Sequence, residues 1–284
     1  MNTTPHPPFM LELELTARCP LACSHCYSMS GPTAGHGAMA TADWRRVIDQ
    51  AALLEYDTTI QFIGGEPTSH PDFAELLAYA IDAGHQILVY SNLVRVKDAW
   101  WALFSHPSVR LATSYYSDQA DEHDRITGRA GSHDRTRANI AEAVRRSIWI
   151  RAGIVEILDG QRTEDARADL KRLGVKRFKV DRARGVGRAT DLLGPSSPSE
   201  LCGHCGESRG SITPDGDVHL CVLSRFMPRI GNVRDEPLAE ILDSPRWRRL
   251  KALVPVAAPS DCNPGSDSND CAPAETTACA PAFD

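Results

Sequence analysis

The chain reads Cys19-Pro-Leu-Ala-Cys23-Ser-His-Cys26, a CxxxCxxC pattern, soon after the alternating apolar and acidic residues 10–15. The alternation predicts a β-strand with one buried face. Three thiolates this close together indicate an iron or zinc site. Because the usual [4Fe–4S] frame uses four cysteines, three of them favour a cluster with one iron left open to a small-molecule ligand. Zinc would need a fourth nearby ligand, which His25 offers only from inside a tight loop.

A second motif, Gly64-Gly65-Glu66-Pro67, ends the β-branched run 58–63, which predicts another strand. Taken alone, this motif is an ordinary strand-to-helix turn. Downstream of the three cysteines it indicates a ligand-binding segment, because glycines let a backbone approach a ligand closely.

Together the two motifs resemble those of the radical S-adenosylmethionine (SAM) superfamily. The resemblance implies that Cys19, Cys23 and Cys26 hold a [4Fe–4S] cluster whose open iron chelates the amino and carboxylate groups of SAM. It also implies that the motif 64–67 receives the SAM amino group. Reductive cleavage of SAM would then give a 5′-deoxyadenosyl radical that abstracts hydrogen from a substrate. The non-enzymatic alternative is a zinc-binding module, which leaves the motif 64–67 unexplained.

The rest of the chain up to residue 180 alternates strand-like and helix-like segments. Strands are predicted at 10–15, 58–63, 86–90, 109–114, 149–158 and 177–180, and helices at 44–54, 73–81, 94–104, 136–146 and 163–173. Residues 117–132 are predicted to form a polar loop. Such alternation indicates parallel βαβ units, hence an α/β fold. The resemblance implies that these units form a partial (β/α)6 barrel.

Polar residues follow several of these strands, at the edge where ligands of parallel α/β folds bind. The resemblance implies that Ser91 and Asn92 contact the ribose or methionine part of SAM and that His25 lies near the adenine. Ser114 and Arg151 are candidates for the SAM carboxylate. The alternatives are a plain Asn-containing turn at 91–92 and a surface salt bridge for Arg151.

A second set of cysteines begins with Cys202-Gly-His-Cys205, followed by Gly216 and Cys221. The spacing resembles the CX9–15GX4C signature of SPASM and twitch domains, which implies at least one auxiliary iron–sulfur cluster. Residues 212–221 are predicted to form a β-hairpin that turns at Asp215 and Gly216. A zinc ribbon is the alternative.

The remaining cysteines lie in a tail that is poor in large apolar residues, so metal ligation is its expected source of order. The fourth auxiliary ligand is expected among Cys262, Cys271 and Cys279. Their spacing differs from the full SPASM pattern, so one auxiliary cluster is predicted, with a second cluster as the alternative if the tail cysteines and Cys202 divide differently. The odd total of 9 cysteines agrees with metal ligation rather than complete disulfide pairing.

The chain is predicted to divide into a disordered lead-in at 1–8, the radical SAM barrel at 9–193 and the auxiliary domain at 194–284. No apolar run approaches the ~20 residues of a membrane span, and no secretory signal is present. The net charge of −6 argues against nucleic acid as a partner. A cytoplasmic location is expected, where thiols stay reduced.

The resemblance implies that the enzyme modifies a ribosomally made peptide by crosslinking, thioether formation, epimerisation or oxidation. The alternative substrate is a small molecule, such as a carbohydrate or cofactor precursor. An external donor of the flavodoxin or ferredoxin type is expected. The first strand starts near residue 10, so either a separate leader-peptide recognition protein or a mode that uses short substrates is expected. Asp118, Asp124 and Asp181 are candidate acid–base groups, with surface or capping roles as the alternative.

Overall fold

A nine-stranded sheet runs through residues 6–256, the part of the chain that the computed structural model describes. Its strands are β1 (Pro8–Glu14), β2 (Asp57–Ile63), β3 (Gln86–Tyr90), β4 (Val109–Ser114), β5 (Ile150–Glu156), β6 (Arg177–Arg182), β7 (Arg209–Ile212), β8 (Asp217–His219) and β9 (Gly231–Asn232). Their order is β6-β5-β4-β3-β2-β1-β7-β8-β9. Neighbours from β1 to β6 pair in parallel, which confirms the predicted α/β core.

Helices connect the parallel strands and extend the C-terminal region. They are α1 (Thr41–Ala51), α2 (Phe73–Asp82), α3 (Trp100–Phe104), α4 (Ala120–Thr127), α5 (Ser132–Arg145), α6 (Thr163–Arg172), α7 (Thr190–Leu193), α8 (Leu238–Leu242) and α9 (Pro245–Lys251). In α1, Trp44, Val47 and Ile48 recur at helical spacing and are fully buried. None of the helices in this described part is both long and apolar enough to cross a membrane.

Both faces of β1 are buried, which differs from the single buried face that its alternation predicts. Leu11, Leu13 and Leu15 join the main hydrophobic core together with the stripe of α1. Glu12 and Glu14, which point to the other face, are only 2% and 0% exposed. Two carboxyl side chains therefore lie on the second buried face of this parallel sheet, where apolar residues are usual.

Two of the predicted segments have different structures. The predicted helix 94–104 is helical only over Trp100–Phe104. The chain before it is held in an irregular path, because Thr136 and Asn139 of α5 donate hydrogen bonds to the carbonyl oxygens of Asn92 and Leu93. The predicted loop 117–132 contains α4, which ends at Gly128 with a left-handed φ of 67°.

The auxiliary cysteine region continues the sheet. β7 pairs in parallel with β1, with Met10 opposite Arg209 and Leu13 opposite Ile212. β7 and β8 are antiparallel, and Gly216 takes a φ of 87° in the turn, as the predicted hairpin requires. The domain boundary near residue 194 stays a prediction, but the sheet passes from β1 to β7 without interruption.

An ion pair between the buried Asp169 of α6 and Arg137 of α5, whose side chain is 41% exposed, leads to a stability prediction. Asp169 accepts hydrogen bonds from Arg137 at 2.8 and 3.0 Å and from the Tyr115 hydroxyl at 2.7 Å. Burial alone would raise the pKa of Asp169, but these hydrogen bonds outweigh it and lower the pKa to about 2. We expect Asp169→Asn to reduce the free energy of unfolding at pH 7 by about 1–3 kcal/mol.

The pH dependence follows from the lowered pKa. An unfolded Asp has a pKa of about 3.9. The contribution of ionised Asp169 to the free energy of unfolding is therefore complete above that pH and is lost as pH falls towards the folded pKa. Denaturant unfolding should therefore show a smaller difference in the free energy of unfolding between wild type and Asp169→Asn at low pH than at pH 7. Asp165→Asn is the control, because that side chain on the same helix is 55% exposed. An equal loss in both variants would contradict the prediction.

Candidate active site

A cavity of about 210 Å³ opens beside the carboxyl ends of the parallel strands. It brings together most of the residues that were predicted from sequence to hold the first cluster and SAM. Those that line it are Cys19, Cys23, Cys26, His25, Gly64, Gly65, Asn92, Ser114 and Arg151. Glu66, Pro67 and Ser91 were also predicted to contact the cofactor, but they are not part of the lining.

The cysteine loop, defined as residues 16–31, is held from the segment that follows β6. The Arg188 guanidinium donates hydrogen bonds to the carbonyl oxygens of Cys23 and Ser30, both at 2.8 Å. The Arg188 backbone N–H donates to the Cys26 carbonyl oxygen at 3.0 Å. These bonds fix the backbone between the thiols, and nothing in the sequence around Arg188 indicated this role.

The C-terminal end of α4 holds the same loop from another side. The Ala22 and Ser24 N–H groups donate to the carbonyl oxygens of Thr127 and Ile126, at 2.9 and 3.1 Å. These carbonyls are left without helical partners at the helix end, so the loop satisfies them. The unpredicted helix α4 is therefore part of the site.

The glycines of the motif 64–67 are required by close backbone packing. The Gly65 N–H donates a hydrogen bond to the Thr16 carbonyl oxygen at 2.8 Å. The Glu66 N–H donates one to the Arg18 carbonyl oxygen at 3.0 Å. A Cβ atom on Gly65 would lie 2.7 Å from the Arg18 carbonyl oxygen, and Gly64 has a φ of 124°. The structure shows that this motif closely approaches the start of the cysteine loop, and its close approach to a ligand stays a prediction.

The Glu66 carboxylate organises the strand ends from behind the cavity wall. It accepts hydrogen bonds from Ser91 Oγ at 2.8 Å and from the Asn92 N–H at 2.7 Å, besides two from Thr68. Burial raises its pKa, although these donors act in the opposite direction. Asn92, positioned in this way, lines the cavity with its Nδ2 3.6 Å from Cys19 Sγ.

An uncharged aromatic wall stands beside the cysteines. His25 Nε2 lies 3.2 Å from the Tyr116 hydroxyl, and His25 Nδ1 is buried with no hydrogen-bond partner among the described residues. Burial lowers the pKa of His25 to about 4, and the nearby Arg188 charge lowers it further in the same direction. Burial also lowers the pKa of His123 to about 4. Both rings are therefore neutral at pH 7.

The three candidate acid–base carboxylates have different surroundings. Asp118 pairs with Arg162 at 2.7 Å, and Asp124 accepts bonds from the Ser132 hydroxyl and from backbone N–H groups at the start of α5. Of the three, Asp181 alone lines the cavity, and its carboxylate pairs with Arg184 at 2.9 Å.

Glu12 is a cavity residue that the sequence did not reveal. Its Oε1 lies 3.6 Å from Arg209 Nη1, and its Oε2 accepts a hydrogen bond from the Val222 N–H at 2.9 Å. Burial raises the pKa of Glu12, while Arg209 acts against this shift. Glu12 therefore joins the cavity to the segment that directly follows Cys221.

The auxiliary cysteines Cys202, Cys205 and Cys221 lie together. The Sγ atoms of Cys202 and Cys205 are 3.9 Å apart, and those of Cys205 and Cys221 are 2.8 Å apart. Cys205 and Cys221 are both 2% exposed. The other candidate ligands, Cys262, Cys271 and Cys279, lie outside the described residues.

The residues around the cavity fit an iron–sulfur cluster. Burial raises the pKa of Cys23 to about 12, and it raises that of Cys19 as well. Buried thiolates need a positive partner, which iron supplies. The three cysteines suit a cluster, in which each thiolate binds a different iron.

Comparisons with known proteins agree with this site. Residues 13–178 match the family described as the radical SAM superfamily, and residues 202–271 match an iron–sulfur cluster-binding domain of the SPASM type. The chain is 34% identical to the PqqA peptide cyclase of Ruegeria pomeroyi, over 84% of this chain and 74% of that protein. It is 24% identical to the subtilosin biosynthesis protein AlbA of Bacillus subtilis, over 86% of this chain and 61% of that protein.

A similar fold occurs in SuiB of Streptococcus suis. Its crystal structure with SAM superposes with a TM-score of 0.70 at 15% identity, covering 87% of this chain and 68% of SuiB. The expected fold class and cofactor class are confirmed by these matches. The chain belongs to the radical SAM superfamily and is an enzyme with a C-terminal iron–sulfur cluster-binding domain.

Proposed function

We propose that the cavity cleaves SAM reductively and that the chain uses the resulting radical to modify a ribosomally made peptide. The observation that carries this proposal is the presence of Cys19, Cys23, Cys26, Gly64 and Gly65 in the lining of one cavity. The names of similar proteins support the choice of substrate. One is a PqqA peptide cyclase, AlbA belongs to subtilosin biosynthesis, and SuiB has a structure with the precursor peptide SuiA.

In this proposal Cys19, Cys23 and Cys26 hold the [4Fe–4S] cluster. A cluster bound there would supply one electron for reductive cleavage of SAM to methionine and a 5′-deoxyadenosyl radical, and that radical would take a hydrogen atom from the substrate. Gly64 and Gly65 present backbone groups to SAM from the end of β2. Asn92, which Glu66 holds in place, contacts SAM from the end of β3, and Ser114 is a further candidate contact on β4.

The surrounding side chains keep the reacting region rigid and dry. Arg188 and the end of α4 fix the loop that carries the thiols. His25 and Tyr116 form a neutral wall that offers no acidic proton at pH 7, because burial lowers the pKa of His25 and raises that of Tyr116. Excluding water protects a reactive intermediate from side reactions.

We assign the auxiliary cluster to Cys202, Cys205 and Cys221, with a fourth ligand from Cys262, Cys271 or Cys279. The cavity lining includes Val222 and Leu223, so the auxiliary segment forms part of its wall. The electron donor is proposed to be a flavodoxin or ferredoxin in the cytosol. A separate recognition protein is proposed to bind the leader segment of the peptide.

Iron content tests the two cysteine sets. After anaerobic reconstitution we expect about eight irons per chain in wild type and about four in a Cys19→Ala, Cys23→Ala, Cys26→Ala variant, because each set holds one [4Fe–4S] cluster. The matched Cys202→Ala, Cys205→Ala, Cys221→Ala variant should also retain about four. The first variant should form no 5′-deoxyadenosine, whereas the second should still form it. Zinc in place of iron would contradict the proposal.

Deuterium transfer tests the substrate class. The reconstituted enzyme is incubated with SAM, dithionite and a deuterated precursor peptide encoded beside its gene. We expect deuterium in the 5′-deoxyadenosine and a modified peptide, detected by mass spectrometry of both products. The first cysteine variant serves as the blank. Deuterium transfer from a carbohydrate or cofactor precursor, but from no peptide, would establish the small-molecule alternative instead.

A further inference from the structure

The orientation of the Asn92 side-chain amide is fixed by its own hydrogen bonds. The oxygen Oδ1 accepts a hydrogen bond from the Val94 N–H at 2.9 Å. Because the oxygen is used in this way, the NH₂ group of the amide faces the opposite side, where Nδ2 lies 3.6 Å from Cys19 Sγ. Asn92 therefore presents a hydrogen-bond donor to the sulfur rather than an acceptor.

The backbone that carries this amide is held on both sides. The Asn92 N–H donates to Glu66 Oε2 at 2.7 Å, and the Asn92 carbonyl oxygen accepts a hydrogen bond from Thr136 Oγ1 at 2.8 Å. Glu66 and Thr136 are both buried. The peptide groups on either side of the Asn92 Cα therefore have one arrangement in which both hydrogen bonds are made.

The next residue, Leu93, has an unfavourable backbone conformation. Its φ is 54°, in the left-handed region that costs free energy for a residue with a Cβ atom. Its N–H donates to Ser91 Oγ at 3.0 Å, and its carbonyl oxygen accepts from Asn139 Nδ2 at 2.7 Å. The chain bends here so that Val94 packs against Cys19. Such strain persists where the surrounding contacts enforce it, and it is found mostly at functional sites.

Two N–H groups face the sulfur of Cys19. Besides Asn92 Nδ2, the Leu21 N–H donates to Cys19 Sγ at 3.4 Å. Sulfur is larger than oxygen, so donors lie farther from it than from a carbonyl oxygen. Hydrogen bonds become stronger when the acceptor is ionised, and a cysteine that binds iron is a thiolate. The contacts at Cys19 are therefore those that would stabilise negative charge on its sulfur.

We propose that Asn92 donates an N–H···S hydrogen bond to the iron-bound Cys19 thiolate and thereby raises the reduction potential of the cluster, with Thr136 as a positioning residue. This inference rests on the proposed [4Fe–4S] cluster at the cysteine loop. When one electron from the external donor converts [4Fe–4S]²⁺ to [4Fe–4S]⁺, the sulfurs become more negative. A donor at a sulfur therefore stabilises the reduced form more than the oxidised form.

This role is compatible with the contact to SAM proposed above. An amide NH₂ group carries two hydrogens, so donation of one to Cys19 leaves the other for a ligand. The two roles differ in what they predict. The hydrogen bond to sulfur acts on the potential when SAM is absent, whereas a contact to SAM acts only when SAM is bound.

A redox titration of the reconstituted full chain without SAM tests the inference. Electron paramagnetic resonance follows the reduced cluster, and the signal that changes when SAM is added to a parallel sample identifies the cluster with the open iron. We expect Asn92→Ala to lower its potential by about 59 mV, a tenfold fall in the ratio of reduced to oxidised cluster at a given potential. Tenfold corresponds to the loss of one hydrogen bond to a charged group.

The sign of the shift distinguishes this role from a purely structural one. A variant that only loosened the site would admit water, which stabilises the more negative reduced cluster and raises the potential. A raised or unchanged potential in Asn92→Ala would therefore overturn the inference. An unchanged potential together with weaker SAM binding would show that Asn92 serves SAM alone.

A second set of variants tests the positioning by Thr136, and it applies even if Asn92→Ala fails to hold a cluster. Thr136→Val keeps the shape of the side chain but loses the donor to the Asn92 carbonyl oxygen, so we expect about a threefold fall in the same ratio. Thr136→Ser keeps the hydroxyl and should restore the wild-type potential.

Thr113→Val is the matched control for Thr136→Val. Thr113 is a buried threonine on β4 that is not part of the cavity lining, and its hydroxyl has no hydrogen-bond partner among the described residues. An equal shift in this control, or no shift in Thr136→Val, would overturn the role of Thr136. A wild-type chain without any SAM-sensitive signal would instead overturn the proposed function, and this inference with it.

Discussion

The position of β1 between β2 and β7 is the constraint on which the rest of the structure depends. Glu12 is in register with Gln61 on one side and with Ser211 on the other. The cysteine loop leaves β1 at its carboxyl end, and the hairpin that begins with β7 leads from Cys205 to Cys221. One central strand therefore sets both groups of cysteines relative to a single cavity. Its leucines anchor it in the hydrophobic core.

Local sequence patterns predicted the parts of the fold that local interactions determine. The β-branched run 58–63 is a strand, the stripe of α1 is buried, and the turn at Gly216 closes a hairpin. The rule that ligands bind at strand carboxyl ends also predicted that the cysteine loop, the motif 64–67 and Asn92 would meet, and residues of all three line one cavity. These predictions needed only periodicity, turn chemistry and the direction of parallel strands.

Tertiary contacts determined what the sequence did not reveal. The segment before α3 is helical in pattern, but hydrogen bonds from Thr136 and Asn139 hold its start in another conformation. The sequence around Arg188 is that of a surface residue. In the structure the chain after β6 returns to the cysteine loop, and Arg188 donates a hydrogen bond to that loop. Glu66 belongs to a recognisable motif, yet its carboxylate bonds to the end of β3 and not to the cavity. Such roles depend on which distant segments meet.

The acidic face of β1 shows how the two halves of the site are tied together. Burying a carboxylate costs several kcal/mol unless partners compensate, so apolar residues on a buried strand would destabilise the fold less. Glu12 finds its partners in Arg209 and the Val222 N–H. Glu14, whose pKa burial raises to about 7, lies 3.4 Å from Arg225.

All three partners belong to the auxiliary region, on β7 or just after Cys221. If that region moved away from β1, two buried carboxylates would lose their compensating charges and donors together. The penalty rises steeply with small displacements, because ion pairs and hydrogen bonds in a poorly solvated interior depend strongly on distance. Hydrophobic contacts alone would tolerate sliding of one strand along another. The charged face of β1 thus favours one docked position of the auxiliary segment, the position in which Val222 and Leu223 complete the cavity wall.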